Sequence, residues 1–461
     1  MKYPKNDHVM IETQEDLGAM SVATPDHTHA VISTAALQAG TMRNLGQSMK
    51  RVIMNAVIVG LTFGIASHAA AKPLKVFILA GQSNMEGHAA VSTFDHIGMD
   101  PMTVPLLKEM RNVDGSPRVC DKVDIAFFSS KGGWGKTPTP VYKQGKLTTD
   151  FGAQGHGPQI GPEYTFGIYL QKQLNEPILI IKTAWGGKSL NTDFRSPSAG
   201  PYQWNEKTAD AKSAEDKEKK KVATGQFYRE MIEDVKKVLA DPARVCPAYD
   251  KNEGCELAGF VWFQGFNDLV ASEVYPDRNK PGGYDLYSKL LCHFIRDVRK
   301  DLNAPKMPFV IGVLGIDGPA TEESEASKPE RTRGILPNFR KAMAAPAEMP
   351  EFKGNVAAVL TEKYWDSELG ELAARSEKVQ GLSKKLAKEG KLSAAEQKAA
   401  VEKCRAELFT PKEQEILEKG KSNQAFHYLG SSKIIAQIGK AFADAMVELR
   451  KEPGAAEAKH Q

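Results

Sequence analysis

Residues 76–88 read VFILAGQSNMEGH, and the reading of this stretch decides the fold. Val76, Phe77, Ile78, Leu79 and Ala80 make an apolar run of the length of a buried strand. The run stops at Gly81, a residue that permits a sharp turn. Ser83 follows between two amides, Gln82 and Asn84, with a helix expected after it. Open α/β sheets seat ligands at the carboxyl ends of buried strands. A serine placed there presents its hydroxyl, and the first amides of the next helix point at any anion that forms. A turn that merely ends a strand has the same four letters, GQSN, so the rest of the chain must decide.

Further apolar runs at 123–128, 178–183 (ILIIKT), 257–263 (LAGFVWF), 309–314 and 355–361 read as strands. Helical stretches are expected at 164–174, after the first-turn residues Pro162 and Glu163, and at 227–239 and 284–302. A last helix puts Ile434, Ile435, Ile438, Phe442, Met446 and Leu449 on one face. This alternation predicts an α/β fold, a mostly parallel sheet with helices on both faces. Residues 130–160 are rich in Gly, Lys and Thr and read as a surface loop, with His156 within it. Two charged segments stand apart from the pattern. Residues 205–222 read as a solvated helix or loop. Residues 365–420 read as a helical insertion, with capping boxes at Ser393–Glu396 and Thr410–Glu413.

Three strands run into polar, glycine-containing turns: at Ser83, at Trp185-Gly186-Gly187-Lys188, and at Gln264-Gly265-Phe266-Asn267-Asp268. A histidine, His427, stands just before the last helix. The GGKS of the second turn is no phosphate loop, because Lys182 occupies the place of the first glycine. Converging turns of this kind suit acyl transfer. A serine hydroxyl becomes a nucleophile when an imidazole takes its proton, and the oxyanion that results needs donors already in place.

The chain has 461 residues, 41% hydrophobic, with a net charge of +4. So slight a balance gives no reason to expect nucleic acid as a partner. Five cysteines show no metal-binding spacing; Cys246 and Cys255 bracket a short loop and pair as a disulfide or stay as thiols. Residues 49–71 run basic, apolar, then small, ending in an A-x-A site at Ala71, the order of a secretory signal peptide. Residues 1–48 then read as an upstream extension with Met49 as the start, and residues 451–461 as a polar tail. The expected location is secreted or periplasmic, and the apolar segment is too short for a comfortable membrane span.

The segments GQSNMEG (81–87), GPE (161–163), WGGKSL (185–190), WFQGFND (262–268) and FHYLG (426–430) occur in that order. Together they resemble the sialate O-acetylesterase and acetylxylan esterase group of SGNH hydrolases. The resemblance spans about 75 to 449 and omits the two charged insertions. It implies a flavodoxin-like three-layer sandwich, no metal or cofactor, and removal of acetyl groups from sugars. By position it makes Ser83 the nucleophile, His427 the base, Gly187 (or Gly186) and Asn267, with Gln264 beside it, the oxyanion hole. Relatives often carry an acid directly after the Gln-Gly pair or three residues before the histidine. Here those positions hold Phe266 and Gln424. Asp268 is the first choice for the acid that orients His427, ahead of Glu163, Glu362 and Asp366. Trp185 and Trp262 read as core or pocket wall. The missing acid keeps open a second reading, a carbohydrate-binding protein on an esterase scaffold, and a third, an esterase for non-sugar acyl groups.

Overall fold

The computed structural model describes residues 72–132, 138–154, 157–209 and 212–451. The signal-like segment, the upstream extension, His156 and the tail beyond Lys451 lie outside the described residues. The strands are β1 (Leu74–Gly81), β2 (Ala89–Ala90), β3 (Val123–Lys131), β4 (Thr139–Lys146), β5 (Gln159–Ile160), β6 (Ile178–Ala184), β7 (Cys255–Phe263), β8 (Phe309–Val313) and β9 (Val356–Leu360). The helices that bear on the site are α1 (Ser83–Glu86), α2 (Glu163–Leu174), α3 (Gln226–Ala240), α4 (Asp285–Asp301), α5 (Ser367–Glu389), α6 (Ala394–Leu408), α7 (Pro411–Gly420) and α8 (Ser432–Leu449).

Seven strands form one sheet in the order β4-β3-β6-β1-β7-β8-β9. All neighbours run parallel except β3 and β4. β1 lies at the centre, which is why it reads as an unbroken apolar run: a strand covered on both faces has no solvent side to mark with polar residues. The mostly parallel α/β sandwich expected from the sequence is therefore present. In a flavodoxin sheet the first strand lies between the second and third; here it lies between β6 and β7. The chain leaves β1 for β3 on one side and leaves β7 for β8 on the other. Strands that diverge in this way open a crevice at their carboxyl ends.

The side chains of β7 show the three layers. Phe260 and Trp262 meet Phe294 of α4, with ring centroids 5.9 Å and 4.3 Å apart. Phe263 points to the other face, 5.3 Å from Phe442 of α8. A Cβ on Gly259 would lie 2.2 Å from Met446 Sδ, so the absence of a side chain there lets α8 approach the sheet.

One expectation needs correction. Residues 130–160 are not all loop: Thr139–Lys146 pairs antiparallel with β3 as the edge strand. Its sequence, TPVYKQGK, is half exposed and carries Pro and Lys, residues that guard edges and hide a strand from an apolar-run reading. The 205–222 segment contains a helix with no buried residue, Ala214–Ala223, capped by Ser213. The 365–420 segment is helical, as α5, α6 and α7, and both expected capping boxes are formed. Cys246 and Cys255 are free thiols, the first buried and the second exposed.

Candidate active site

Strand register brings the three turns to one level. Gly81 pairs with Ala184 on one side and with Phe263 on the other, so the chain leaves all three strands at the same rim. Gly81 is required by this closeness: a Cβ there would sit 2.1 Å from the Phe263 carbonyl oxygen. The helix expected after Ser83 is a single turn, α1, beginning at Ser83 itself. Ser83 is 7% exposed. The turn of residues Ala425–Gly430, which carries His427, packs against α1. Serine and histidine, 344 positions apart, thus share the rim. Their side chains are not hydrogen-bonded to each other in this structure; such bonds often tighten only around substrate.

Gln82 organises the floor. Its Oε1 accepts from Gln264 Nε2 and the Gly265 amide, both at 3.1 Å, and from the Asn267 amide at 3.3 Å. Its Nε2 donates to Asn267 Oδ1 at 2.8 Å and reaches Ser83 Oγ at 3.5 Å. Asn267 keeps its amide hydrogens free of partners among the described residues. Gln264 does not: its Nε2 faces Gln82 Oε1, the Lys188 carbonyl at 3.1 Å and Asp268 Oδ2 at 2.7 Å. With three acceptors for two hydrogens, it has none to offer an oxyanion. Gly186 borders the serine: a Cβ there would lie 3.8 Å from Ser83 Cβ. The amides of Ser83, Gly186 and Gly187 donate to no acceptor among the described residues.

The geometry of His427 depends on a residue that the sequence reading passed over. Asn423 Oδ1 accepts the Gln424 amide at 2.8 Å and meets His427 Nδ1 at 3.0 Å. A backbone N–H can only donate, so the shared atom must be the oxygen. It follows that Nδ1 carries the hydrogen and Nε2 is left as a lone pair. Burial, and secondarily the neighbouring His88, push His427 down to about 3. The ring is therefore a neutral base at physiological pH. The turn behind it is strained, with positive φ at Tyr428 (51°), Leu429 (60°) and Gly430 (62°). Tyr428 fixes it from below, its fully buried hydroxyl bonded to the Gly315 amide and to Thr361 Oγ1, both at 2.7 Å.

Asp268 does not reach the histidine. Its carboxylate accepts from the Leu190 amide (2.7 Å), the Asn191 amide (3.1 Å), Gln264 Nε2 and Tyr275 Oη (3.0 Å). Those four donors fill its acceptor sites and tie the second turn to the third. Burial pushes this carboxyl up, and the four donors pull the other way. The remaining acids are also engaged. Glu163 and Lys182 form a fully buried pair at 2.6 Å. Lys182 also donates to the carbonyls of Glu86 (2.8 Å) and Phe151 (2.7 Å), beneath the Ser83 turn. Glu362 pairs with Arg340, and Asp366 caps α5 and meets Lys433 at 2.9 Å. Trp185 and Trp262 are core. Phe266 and Phe426 instead stack at 5.2 Å beside His427, with Phe426 exposed. Among the described residues no His, Cys, Asp and Glu group is arranged to hold a metal, and no helix is long and apolar enough to cross a membrane.

The rim of a mostly parallel sheet thus gathers a serine, free amides and an imidazole, an arrangement suited to acyl transfer. Residues 73–348 match the family described as carbohydrate esterase, sialic acid-specific acetylesterase, and the chain belongs to it. His427 and Asn423 lie beyond the matched residues. No curated protein matches the chain. Three solved structures are similar to parts of it. A protein from Arabidopsis thaliana is 16% identical, over 63% of this chain and 86% of that one, with a TM-score of 0.33. A carbohydrate acetylesterase from Xanthomonas citri is 14% identical, over 62% and 49%, with a TM-score of 0.32. NanS is 14% identical, over 63% and 78%, with a TM-score of 0.31.

Proposed function

We propose that the chain is a carbohydrate O-acetylesterase that works through an acetyl-enzyme on Ser83. Ser83 Oγ attacks the acetyl carbonyl carbon and passes its proton to Nε2 of His427. The carbonyl oxygen becomes an oxyanion, received by the Ser83 and Gly186 amides and by Asn267 Nδ2. One such donor typically contributes about 3 kcal/mol to lowering the barrier. The C–O bond to the sugar then breaks, and the imidazolium returns its proton to the sugar oxygen. Water, deprotonated by the same Nε2, attacks the acetyl group, and acetate leaves as Ser83 regains its hydrogen.

The observation that carries this reading is the contact of His427 Nδ1 with Asn423 Oδ1 at 3.0 Å, an oxygen that can only accept and so leaves Nε2 as the basic nitrogen. The substrate is an acetylated sugar, in keeping with the family, and the site of action is secreted or periplasmic, in keeping with the signal-like residues 49–71. The test is acetate release from an O-acetylated sugar by the purified protein beside Ser83→Ala. Equal rates for the two proteins end the proposal.

One feature favours the second reading, a carbohydrate-binding protein without turnover: the group on His427 is an amide, not an acid. Glycan binding with no acetate release, unchanged in His427→Ala, selects it.

A further inference from the structure

His88 lies five residues after Ser83, and no step of the reaction uses it. Its imidazole lies flat on that of His427, with centroids 4.0 Å apart and planes within 1°. Its Nε2 is 3.7 Å from Glu86 Oε2. The other oxygen of Glu86 accepts from Ser129 at 2.8 Å, which holds the carboxylate in place. Glu86 itself is buried under the rim, its Oε2 within 3.3 Å of where a Cβ on Gly186 would be. The ring of His427 is thus held on two sides, by the flat face of His88 and, at its edge, by Asn423 Oδ1 on Nδ1.

We propose that His88 is a positioning residue for the base: its ring, stacked on that of His427 and held beside Glu86, fixes the plane in which His427 works. This rests on the Ser83–His427 reading. The other groups facing the pair are few. From the His427 turn come the Asn423 amide and the Phe426 ring, 4.5 Å away edge-on, neither of which titrates. From β3 comes the Ser129 hydroxyl, and from β6 the Lys182 ammonium, which holds the Glu86 carbonyl and is itself neutralised by Glu163 of α2. Ser422 Oγ approaches the His88 carbonyl at 3.5 Å. The repulsion from His88 acts on His427 in the same direction as burial.

Two variants test this. His88→Phe keeps a flat ring on His427, and His88→Ala removes it. The His427 ring signals are followed by NMR in each protein, and kcat and KM are measured on an acetyl ester. The expected result for His88→Phe is that kcat is retained, a rescue by ring shape alone. For His88→Ala it is a fall in kcat of roughly 10- to 100-fold at unchanged KM, because an unsupported ring leaves its reactive orientation, with the His427 ring signals displaced. An unchanged kcat in His88→Ala overturns the proposal, as does a loss in His88→Phe as large as that in His88→Ala, or His427 ring signals that are the same in His88→Ala and the parent. The NMR signals are read without turnover, so they stand apart from the Ser83→Ala test. His88→Phe keeps the question answerable should His88→Ala fail to fold.

Discussion

Asn423 holds His427 from four residues upstream, through one oxygen that also accepts the Gln424 amide. The usual orienting group is an acid, whose negative charge stabilises the imidazolium. An amide supplies orientation without charge. Burial, and after it the neighbouring His88, hold the base at about 3, far below the 6.5 of an ordinary histidine, and the uncharged amide does nothing to raise it. The expected pH profile of kcat/KM is flat through neutrality, with no acid limb near 6.5. Asn423→Asp places a negative charge at Nδ1 and moves the limb up toward neutrality. Asn423→Ala releases the ring and lowers kcat by roughly 100-fold. The same depressed ionisation affects stability. Between 6.5 and about 3 the unfolded chain binds a proton here that the folded chain refuses, so this residue makes stability rise with pH across that window. Urea titrations of the parent and His427→Gln across the window measure it: the slope should flatten in the variant.

Much of this arrangement was legible in the sequence. β1, β6 and β7 are buried on both faces, so their apolar runs and the polar turns that end them stand out without a structure. The edge strand β4 was not legible, because alternating exposure and three Lys or Pro interruptions erase the apolar signal. The motif GQSNMEGH already contained Glu86 and His88, but nothing in the letters says that His88 turns back onto a residue more than 300 positions away. Asn423 was hidden for another reason: the 428–430 backbone is left-handed at three consecutive residues, a conformation that no periodicity announces. Asp268 drew attention by adjacency to Asn267, yet both lie in the helical turn Phe266–Val270, where neighbouring side chains differ by about 100°, and the carboxylate is taken up by the Leu190 and Asn191 amides.

Asp268→Asn separates the two candidates for the orienting group. The substitution replaces an oxygen facing backbone N–H groups with an NH2, leaving buried donors unsatisfied at roughly 1–3 kcal/mol each. Chemical denaturation should show the loss, since Asp268 joins the second turn to the third. The shape of the pH profile should stay that of the parent. A shift of the acid limb in Asp268→Asn would instead make this carboxylate a partner of His427.

The buried Glu163–Lys182 pair lies directly under the Ser83 turn. Burial pushes Glu163 up and Lys182 down, so each depends on the other to hold its charge. Removing one partner by Glu163→Gln or Lys182→Met should cost about 3–5 kcal/mol. The double variant should recover part of that loss, because it leaves no unpaired charge. Urea midpoints of the three proteins check this. Additive losses in the double variant would show that the two groups act independently.

The helical insertion is more than a surface decoration, because it shares a core with the histidine turn. Leu369, Leu372, Val379, Phe409 and Ile416 pack with Leu429, two residues after His427. Leu429 holds φ of 60°, a conformation costing of order 1–3 kcal/mol that persists only where packing enforces it. Phe409→Ala opens a void in that core and should cost about 3–5 kcal/mol locally. Hydrogen exchange across α6 and α7 should rise, and kcat should fall with KM little changed, because the base loses its support while the rim that receives the sugar stays intact. Faster exchange with an unchanged kcat would mean that Tyr428 alone holds the turn, through its bonds to Gly315 and Thr361 beneath the sheet edge.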